Sequence, residues 1–288
     1  MKILITGAFG QLGTAIYNNF TEDMEIIRTG RVVPKSKTGI VLDIRNKIYL
    51  KECINAISPE IILNLAAMTD VDSCELNPNI AKEINIAGVQ HLCDSFDGKI
   101  IQLSTDYVFD GENGPYSESD NVNPISIYGK TKLASEKILM DKDPNHLIVR
   151  GNVIYDNTPN TQSSFLNWVV HSLENNKQIK VVDDQINNPI WAQSMAEILK
   201  LCIENNMSGI VHWGGADYLN RYKFALKIAK KYELNEKLIE PIKTTDLKQI
   251  APRPLNSGLK TDKLNELINV VPPTVDDCLN AIIKITDT

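Results

Sequence analysis

A tyrosine and a lysine lie four residues apart in the segment Tyr128-Gly-Lys-Thr-Lys132, downstream of a pair of hydroxyl residues, Ser104 and Thr105. Residues i and i+4 share one face of a helix, so the phenol and the ammonium would lie side by side. An ammonium favours the phenolate, and we therefore expect Lys132 to lower the pKa of Tyr128 from about 10 towards neutral pH. Such a phenol can exchange a proton with a carbonyl or alcohol oxygen that the hydroxyl pair holds by hydrogen bonds. The pattern predicts carbonyl-reduction chemistry, with an ordinary surface helix as the alternative.

A glycine-rich segment, Gly7-Ala-Phe9-Gly10-Gln11-Leu12-Gly13, follows a strand-like run at residues 2–6 and opens a helical pattern. This is the context that a dinucleotide-binding fingerprint requires. Gly7 would allow a tight turn, Gly10 would let backbone amides approach a pyrophosphate, and Gly13 would let the helix pack closely on the strand. A helix start also offers free N–H donors to phosphate oxygens. The segment predicts a nicotinamide dinucleotide site; a strand–helix turn that merely needs glycines is the alternative.

The residues that separate NAD(H) from NADP(H) lie about 20 positions further on. There the chain reads Arg28-Thr-Gly-Arg31, without the carboxylate that usually binds the ribose hydroxyls of NAD. The cationic Arg31 suits an additional 2′-phosphate, so NADP(H) is favoured over NAD(H), unless Arg31 simply faces solvent. Further strand ends are predicted beside the adenine and beside the ribose and nicotinamide, although ordinary strand ends would look the same: Asp43, Ile44, Leu65, Ala66 and Ala67.

Short β-branched runs alternate with longer helical patterns over the first half of the chain. The predicted strands are residues 2–6, 25–28, 61–65, 100–103 and 147–150. The predicted helices are residues 11–19, 46–57, 77–94 and 126–140. Near-continuous apolar strands between helices predict a parallel sheet covered on both faces. The fold class is therefore α/β, a Rossmann-type doubly wound parallel sheet with a smaller C-terminal lobe.

The pattern loosens after Arg150. Helices are predicted near residues 163–174, 192–203 and 221–232, strands at 179–182 and 209–213, and a terminal helix after Pro272-Pro273. We expect a nucleotide-binding domain over residues 1–150. Residues 151–288 would form mainly a substrate-binding lobe, with segments that return to the sheet. Ligands of open parallel sheets bind at the carboxyl edge of the strands, where this lobe would lie.

Composition excludes several classes of protein. The net charge of −6 argues against a general nucleic-acid binder or a binder of anionic membranes. No apolar run approaches the roughly 20 residues that span a bilayer, and the N-terminus lacks a signal-peptide pattern, so a cytoplasmic protein is expected. The five cysteines are scattered and odd in number, which predicts reduced, buried thiols. Asp183 and Asp184 would point to opposite faces of a strand, so no metal site is predicted.

With these residues assembled, the chain resembles the extended short-chain dehydrogenases/reductases, and within them the dTDP-4-dehydrorhamnose reductase family. The most specific matches are Ser104-Thr-Asp-Tyr-Val-Phe-Asp-Gly111 and Arg253-Pro-Leu-Asn-Ser257-Gly-Leu259. The likeness runs nearly end to end and also covers the glycine loop and residues 66–72, 83–88, 115–118, 128–132, 182–185 and 188–189.

This resemblance implies reduction of the C4 keto group of a nucleotide-linked 6-deoxy-4-ketohexose by a nicotinamide hydride. By position, Thr105 would hydrogen-bond the ketone and Tyr128 would protonate its oxygen. Lys132 would lower the pKa of Tyr128 and bind the nicotinamide ribose. Asn85 is a further cofactor candidate, as are Tyr128 and Lys132 themselves. The implied substrate contacts are Ser104, Thr105, Asp106, Tyr107, Val108, Asn152 and Arg253.

Related dehydratases carry an Asp-Glu pair after the threonine, and related epimerase–reductases carry a cysteine where this chain has Asp106, so both chemistries are disfavoured. The segment Gly151-Asn-Val-Ile-Tyr-Asp156 departs from the family pattern, and Ile190 stands where a threonine is common. A dTDP-linked sugar is favoured, with a GDP- or CDP-linked ketosugar as the alternative. A second alternative is a non-catalytic NADP-binding subunit resembling the regulatory subunit of methionine adenosyltransferase. Relatives often dimerise through helices, so a homodimer is expected.

Overall fold

The computed structural model describes residues 1–20, 24–157 and 164–286. Its strands, in chain order, are β1 (Lys2–Thr6), β2 (Glu25–Gly30), β3 (Ile40–Val41), β4 (Ile61–Asn64), β5 (Lys99–Thr105), β6 (Leu147–Gly151), β7 (Ile154–Tyr155), β8 (Ile179–Val182), β9 (Ile186–Asn187), β10 (Ile190–Trp191), β11 (Gly209–Trp213), β12 (Leu219–Asn220) and β13 (Ile239–Ile242).

Seven of these strands form one parallel sheet in the order β11-β6-β5-β4-β1-β2-β3. The central strands are apolar on both faces, and all four residues of β4 are buried, as in sheets covered by helices on each side. The order reverses at β1 and β4, and a crevice at the carboxyl end of such a reversal is where open sheets bind ligands. The predicted Rossmann-type doubly wound sheet is confirmed.

The helices, in chain order, are α1 (Gln11–Asn19), α2 (Lys47–Ile57), α3 (Val71–Leu76), α4 (Pro78–Lys82), α5 (Gly88–Ser95), α6 (Ile127–Lys142), α7 (Phe165–Glu174), α8 (Ala192–Glu204), α9 (Arg221–Lys231), α10 (Thr244–Leu247), α11 (Asp262–Ile268) and α12 (Val275–Thr286). Short 3₁₀ turns lie at Asp106–Val108 and Glu236–Leu238, and a π-helix lies at Glu83–Ala87. None of the helices in the described ranges combines the length and the hydropathy that crossing a membrane requires.

The second half of the chain divides between the sheet and a separate apolar core. Strand β11 extends the sheet beside β6, and α8 packs on α1. Helices α7, α9 and α12 instead enclose their own cluster with β8 and β13, centred on Tyr155 and Phe224. The lobe that these helices form therefore stands on a core of its own, at the carboxyl edge of the sheet.

Several predicted elements differ from the structure. The helix predicted over residues 77–94 is interrupted, because the π-helix Glu83–Ala87 separates α4 from α5. The helix predicted from Ser163 begins at Phe165, and Ser163 itself lies outside the described residues. The two-residue strands β7, β9, β10 and β12 were not predicted, since runs this short carry no readable periodicity, whereas β3 lies just before the strand end predicted at Asp43. All five cysteines are free and buried, as predicted.

Candidate active site

Three adjoining cavities lie at the carboxyl edge of the sheet. The glycine-loop cavity, about 580 Å³, extends from Gly7 to Ile84 past Asp43. The central cavity, about 540 Å³, contains Thr105 and Tyr128. The lobe cavity, about 540 Å³, contains Arg253. Thr69 lines all three, so they form one elongated cleft between the sheet and the lobe.

The glycine loop brings bare backbone to the first cavity. Gly7 has a positive φ of 66°, and a Cβ there would lie 2.8 Å from the Ala66 nitrogen. A Cβ at Gly13 would lie 2.4 Å from the Ala8 oxygen, so α1 packs more closely on the loop backbone at Ala8 than a side chain would allow. Gly10 begins α1 without a side-chain cap, which leaves the amides of the first turn directed at the cavity. Backbone N–H groups in this arrangement suit a pyrophosphate.

The structure brings most of the predicted cofactor residues together. Those that line the glycine-loop cavity are Gly7, Gly10, Gln11, Leu12, Gly13, Arg31, Asp43, Ile44, Leu65, Ala66 and Ala67. Phe9 is not among them, because its ring packs against Gly30 and Gly39 at the ends of the neighbouring strands. Tyr128 lines the central cavity rather than this one.

Asn85, predicted to contact the cofactor, is instead buried beneath the cavity wall. Its Oδ1 accepts from the Met68 nitrogen at 2.8 Å, and its Nδ2 donates to the Met68 oxygen at 3.1 Å and to Thr131 Oγ1 at 3.0 Å. The prediction of a direct contact is corrected, since every polar atom of the amide is engaged with protein. Asn85 acts on the cavity through Met68, which lines it.

The far end of the glycine-loop cavity is positively charged. Arg45, which sequence reasoning missed, binds Asp43 through Nη2 at 2.6 Å and holds the pKa of that carboxyl below its usual range. Arg31 has no carboxylate partner within salt-bridge distance in the part of the chain that the structure describes. The charge of Arg45 is therefore compensated, whereas that of Arg31 remains available for an anion.

Thr105 and Tyr128 meet in the central cavity. Thr105 ends β5 and begins the following 3₁₀ turn, where its Oγ1 accepts from the Tyr107 nitrogen at 3.2 Å and donates to Asp106 Oδ1 at 3.1 Å. Tyr128 lies in the first turn of α6, whose start is fixed by Ser126 and Glu75 through bonds to the amides of Gly129 and Ile127. Thr105 and Tyr128 both line the central cavity.

Burial sets the proton affinities here, against the sequence-based expectation. Desolvation raises the pKa of Tyr128 above its ordinary value, so the expected lowering by Lys132 is not found. Lys132 is only 4% exposed, its Nζ donates to the Leu103 oxygen at 2.7 Å, and it lines none of the three cavities. Burial lowers the pKa of Lys132 to about 8. The correction has a simple cause: spacing shows which groups are near, but not how much water is removed from them.

Five of the predicted substrate residues lie together in the central cavity. Ser104, Thr105, Asp106, Tyr107 and Asn152 all line the central cavity. Asp106 is buried and accepts from Ser257 Oγ at 2.5 Å, while Asn152 Nδ2 donates to the Ser257 oxygen at 3.0 Å. Burial raises the pKa of Asp106. The late segment is thereby attached to the floor of the cavity.

The other two predicted substrate residues, Val108 and Arg253, lie outside the central cavity. Val108 was predicted to contact substrate, but its side chain is fully buried with Phe109 in a small core and does not reach the cavity, which corrects that prediction. Arg253 lines the lobe cavity, where Asp72 pairs with its Nη2 at 3.0 Å and the Ala251 oxygen accepts from its Nη1 at 2.9 Å.

Sequence reasoning missed the residues that join the central and lobe cavities. Phe165, Trp168 and Arg221 line both. The guanidinium carbon of Arg221 lies 5.3 Å from the centre of the Phe165 ring, within cation–π range. Arg221 makes no salt bridge to a carboxylate of the described residues. Its position at the start of a helix in the lobe gave no signal, because the residues that it joins are distant in sequence.

The chain matches the RmlD substrate-binding domain family over residues 1–287. It is 32% identical to dTDP-4-dehydrorhamnose reductase of Aggregatibacter actinomycetemcomitans, with 94% of each chain covered. It is also 30% identical to methionine adenosyltransferase 2 subunit beta of Rattus norvegicus, over 92% of this chain and 82% of that protein.

Solved structures agree over the whole length. A dTDP-4-dehydrorhamnose reductase from Clostridium acetobutylicum superimposes with a TM-score of 0.91 at 31% identity, covering 100% of both chains. One from Bacillus anthracis, in complex with NADP, gives a TM-score of 0.88 at 26% identity, covering 99% of both. With the glycine loop, the Thr105–Tyr128 pair and the lobe in place, the chain belongs to the RmlD family of dTDP-4-dehydrorhamnose reductases.

Proposed function

We propose that the chain is an NADPH-dependent reductase of a nucleotide-linked 4-keto-6-deoxyhexose, with a dTDP-linked sugar favoured. The observation that carries this proposal is the meeting of Thr105 and Tyr128 in a cavity that adjoins the glycine-loop cavity. A dinucleotide in the glycine-loop cavity would present its nicotinamide beside a sugar in the central cavity. The relatives named dTDP-4-dehydrorhamnose reductase, one of them in complex with NADP, support it.

The glycine-loop cavity fits NADP(H). The space that a Cβ at Gly7 would fill, and the uncapped amides after Gly10, suit a pyrophosphate. Asp43 and Ile44 would lie beside the adenosine, and Arg31 supplies the unpaired cation for the 2′-phosphate. NAD(H) would leave Arg31 without a partner.

When bound, the cofactor supplies the hydride that reduces C4. The protein supplies the proton: because burial raises the pKa of Tyr128, its phenol stays protonated at neutral pH and can donate to the ketone oxygen. Thr105, whose hydroxyl proton is donated to Asp106 here, would turn towards the same oxygen. Lys132 places a buried positive charge beneath the site and stabilises the phenolate left after proton transfer.

The lobe would recognise the nucleotide end of the substrate. Arg221 lines both the central and the lobe cavity and Arg253 lines the lobe cavity, and we assign the substrate diphosphate to these two cations. The lobe cavity also contains Asp70 and Lys180, so with Asp72 paired to Arg253 three cations face two carboxylates, which leaves a net positive site for an anion. Trp168 and Phe165 offer aromatic surface to the sugar or base. We further propose that residues 1–150 form the NADP(H)-binding domain and that residues 151–288 form mainly the substrate-binding lobe.

Two alternatives remain as proposals. A GDP- or CDP-linked ketosugar would use the same chemistry, since the described residues that line the lobe cavity include none that is specific to thymine. A non-catalytic NADP-binding regulatory subunit is favoured by the 30% identity to methionine adenosyltransferase 2 subunit beta. In the cell, we place the favoured enzyme in the cytoplasm, as a homodimer that serves the synthesis of surface-polysaccharide precursors.

The test is NADPH oxidation by the purified protein with dTDP-, GDP- and CDP-linked 4-keto-6-deoxyhexoses, with NADH in parallel. We expect turnover of the dTDP-linked sugar, faster with NADPH. Turnover of another nucleotide's sugar would support the first alternative. Tight NADPH binding with no turnover of any sugar, together with co-purification of a methionine adenosyltransferase, would support the second.

A further inference from the structure

A buried charged cluster lies behind the central cavity, formed by Glu136 on α6, Arg150 on β6 and His212 on β11. Their exposed fractions are 2%, 3% and 0%. Arg150 holds both carboxylate oxygens of Glu136, through Nη2 at 2.7 Å and Nε at 3.0 Å. Arg150 Nη1 lies 3.3 Å from His212 Nε2, and His212 Nδ1 lies 3.2 Å from the Tyr116 oxygen. Because a carbonyl only accepts, His212 carries its proton on Nδ1 and is neutral.

This cluster reaches the cavity through Ser104. The hydroxyl of Ser104 donates to Glu136 Oε1, and Ser104 is one of the residues that line the central cavity. A serine has a single hydroxyl proton, so a Ser104 that donates to Glu136 presents only lone pairs to a ligand. Ser104 therefore accepts a hydrogen bond from a substrate hydroxyl and cannot donate one to the ketone oxygen.

The cluster also reaches Lys132. Tyr128, Lys132 and Glu136 occupy positions i, i+4 and i+8 of α6 and thus share one face. The Lys132 ammonium is held by the oxygen of Leu103, the residue before Ser104. Glu136, Arg150 and Lys132 together carry one net positive charge, and the Glu136 carboxylate favours the charged form of Lys132.

We propose that Glu136 is a positioning residue with two roles: it fixes Ser104 as a hydrogen-bond acceptor for substrate, and it supplies the negative charge beside Lys132. Arg150 anchors its carboxylate, and His212 contacts Arg150. A purely structural ion pair would hold α6 against the sheet but would not act on either group. The first role rests on the proposed function, whereas the second does not.

The elements that pack against α6 carry other titratable and charged groups. Besides Tyr128 and Glu136 they are Asp106 and Tyr107 from the 3₁₀ turn, Asp72, Cys74 and Glu75 from α3, Glu83 from the π-helix, Lys82 from α4, His91, Cys93 and Asp94 from α5, Lys99 from β5 and Arg150 from β6. Burial lowers the pKa of Lys132, and the charge of Glu136 opposes this. Replacing Glu136 by a neutral residue would remove this opposing charge and unmask Arg150, and both changes favour the neutral amine.

The test follows the titration of Lys132 in the NADP⁺-bound full chain by NMR of ¹³C-labelled lysine, with the signal assigned by its loss in Lys132→Met. In Glu136→Gln we expect the Lys132 pKa to fall by at least ~1 unit. The alkaline loss of kcat, which sets in as Lys132 loses its proton, should move to lower pH by the same amount. Asp141→Asn, an exposed loss of negative charge on the same helix, should change neither.

Two further variants separate the roles. Ser104→Ala should raise KM for the ketosugar ~10-fold and leave the Lys132 titration unchanged, because it removes only the acceptor. Glu136→Asp keeps the ion pair but withdraws the carboxylate by one methylene, so a smaller shift in the same direction is expected even where Glu136→Gln does not fold. An unmoved Lys132 titration in the folded Glu136 variants would overturn the proposal. A wild-type protein that reduces no ketosugar would contradict the proposed function but leave the titration test intact.

Discussion

The two ends of the cleft are built from different parts of the chain. The glycine-loop cavity combines aliphatic side chains with backbone exposed at small residues, such as Gly7, Gly10 and Ala66. The lobe cavity is lined by large charged and aromatic side chains, such as Trp168, Arg221 and Arg253. A wall of backbone can bind a ligand shared by many enzymes but tolerates almost no added atom. A wall of side chains can be altered residue by residue, so we place substrate choice in the lobe.

The largest effect is expected where the two ends meet. Tyr128→Phe removes the proton donor but preserves the ring, so kcat should fall ~10³-fold while the Kd for NADPH changes less than ~2-fold. Steady-state kinetics and NADPH fluorescence titration measure the two effects. Tyr107→Phe is the control for the loss of a phenol hydroxyl near the site. The Tyr107 ring packs edge-on against the Tyr128 ring, with the two ring centroids 5.6 Å apart. A Tyr128→Phe protein with substantial turnover would show that the donor is another group.

Gly7→Ala tests the glycine-loop cavity, where the ligand would contact backbone. The new Cβ would lie 2.8 Å from the Ala66 nitrogen, and we expect NADPH affinity to fall at least ~100-fold, or about 2.7 kcal/mol. Gly209→Ala is the control: its φ of 78° is equally unfavourable, but a Cβ there meets nothing within 4 Å. Gly209→Ala should lose about 1–2 kcal/mol of unfolding free energy from its positive φ alone, and Gly7→Ala should lose more because its Cβ also meets the Ala66 backbone; denaturant titration measures both losses. Equal NADPH affinities in the two variants would show that a Cβ at Gly7 does not obstruct the cofactor, which would contradict our account of the glycine-loop cavity.

The lobe end is tested by Arg221→Gln. Losing a charge-assisted hydrogen bond to a phosphate should raise KM for the nucleotide sugar ~10–100-fold, with kcat and NADPH affinity nearly unchanged. The binding of dTDP, measured by calorimetry, should weaken more than that of thymidine monophosphate. Lys223→Gln, an exposed change on the same helix, should leave all these values unaltered. If both nucleotides weaken equally, Arg221 does not contact the diphosphate.

The smallest effect is expected at the far end of the glycine-loop cavity. Arg31→Gln should reduce the preference for NADPH over NADH ~10-fold, because an exposed cation contributes little more than about 1.4 kcal/mol to phosphate binding. The ratio of kcat/KM values for the two cofactors measures this preference. Lys35→Gln, an exposed change in the same loop, should have less effect. An unchanged ratio in Arg31→Gln would transfer the role to another cation.

The same comparison explains what could be predicted from the sequence. The glycine-loop end was predictable because its determinants are local: Gly7, Gly10 and Gly13 follow a strand within one short segment. Arg221 was not, because only folding brings it to residues distant in sequence. Asn85 was identified but given the wrong contact, since the π-helix that turns it towards Met68 leaves no mark in the apolar pattern. The pKa of Tyr128 was predicted in the wrong direction because desolvation depends on what the whole fold excludes.

The central claim, that this cleft reduces a ketone on a nucleotide sugar, is tested most directly by turnover. Purified protein would be supplied with NADPH and dTDP-4-keto-6-deoxyhexose, and the loss of NADPH absorbance would be followed together with the appearance of the C4 alcohol by NMR. We predict NADPH oxidation matched one-to-one by alcohol, and loss of both in Tyr128→Phe. NADPH that binds tightly but is not consumed with any dTDP-, GDP- or CDP-linked ketosugar would contradict the account.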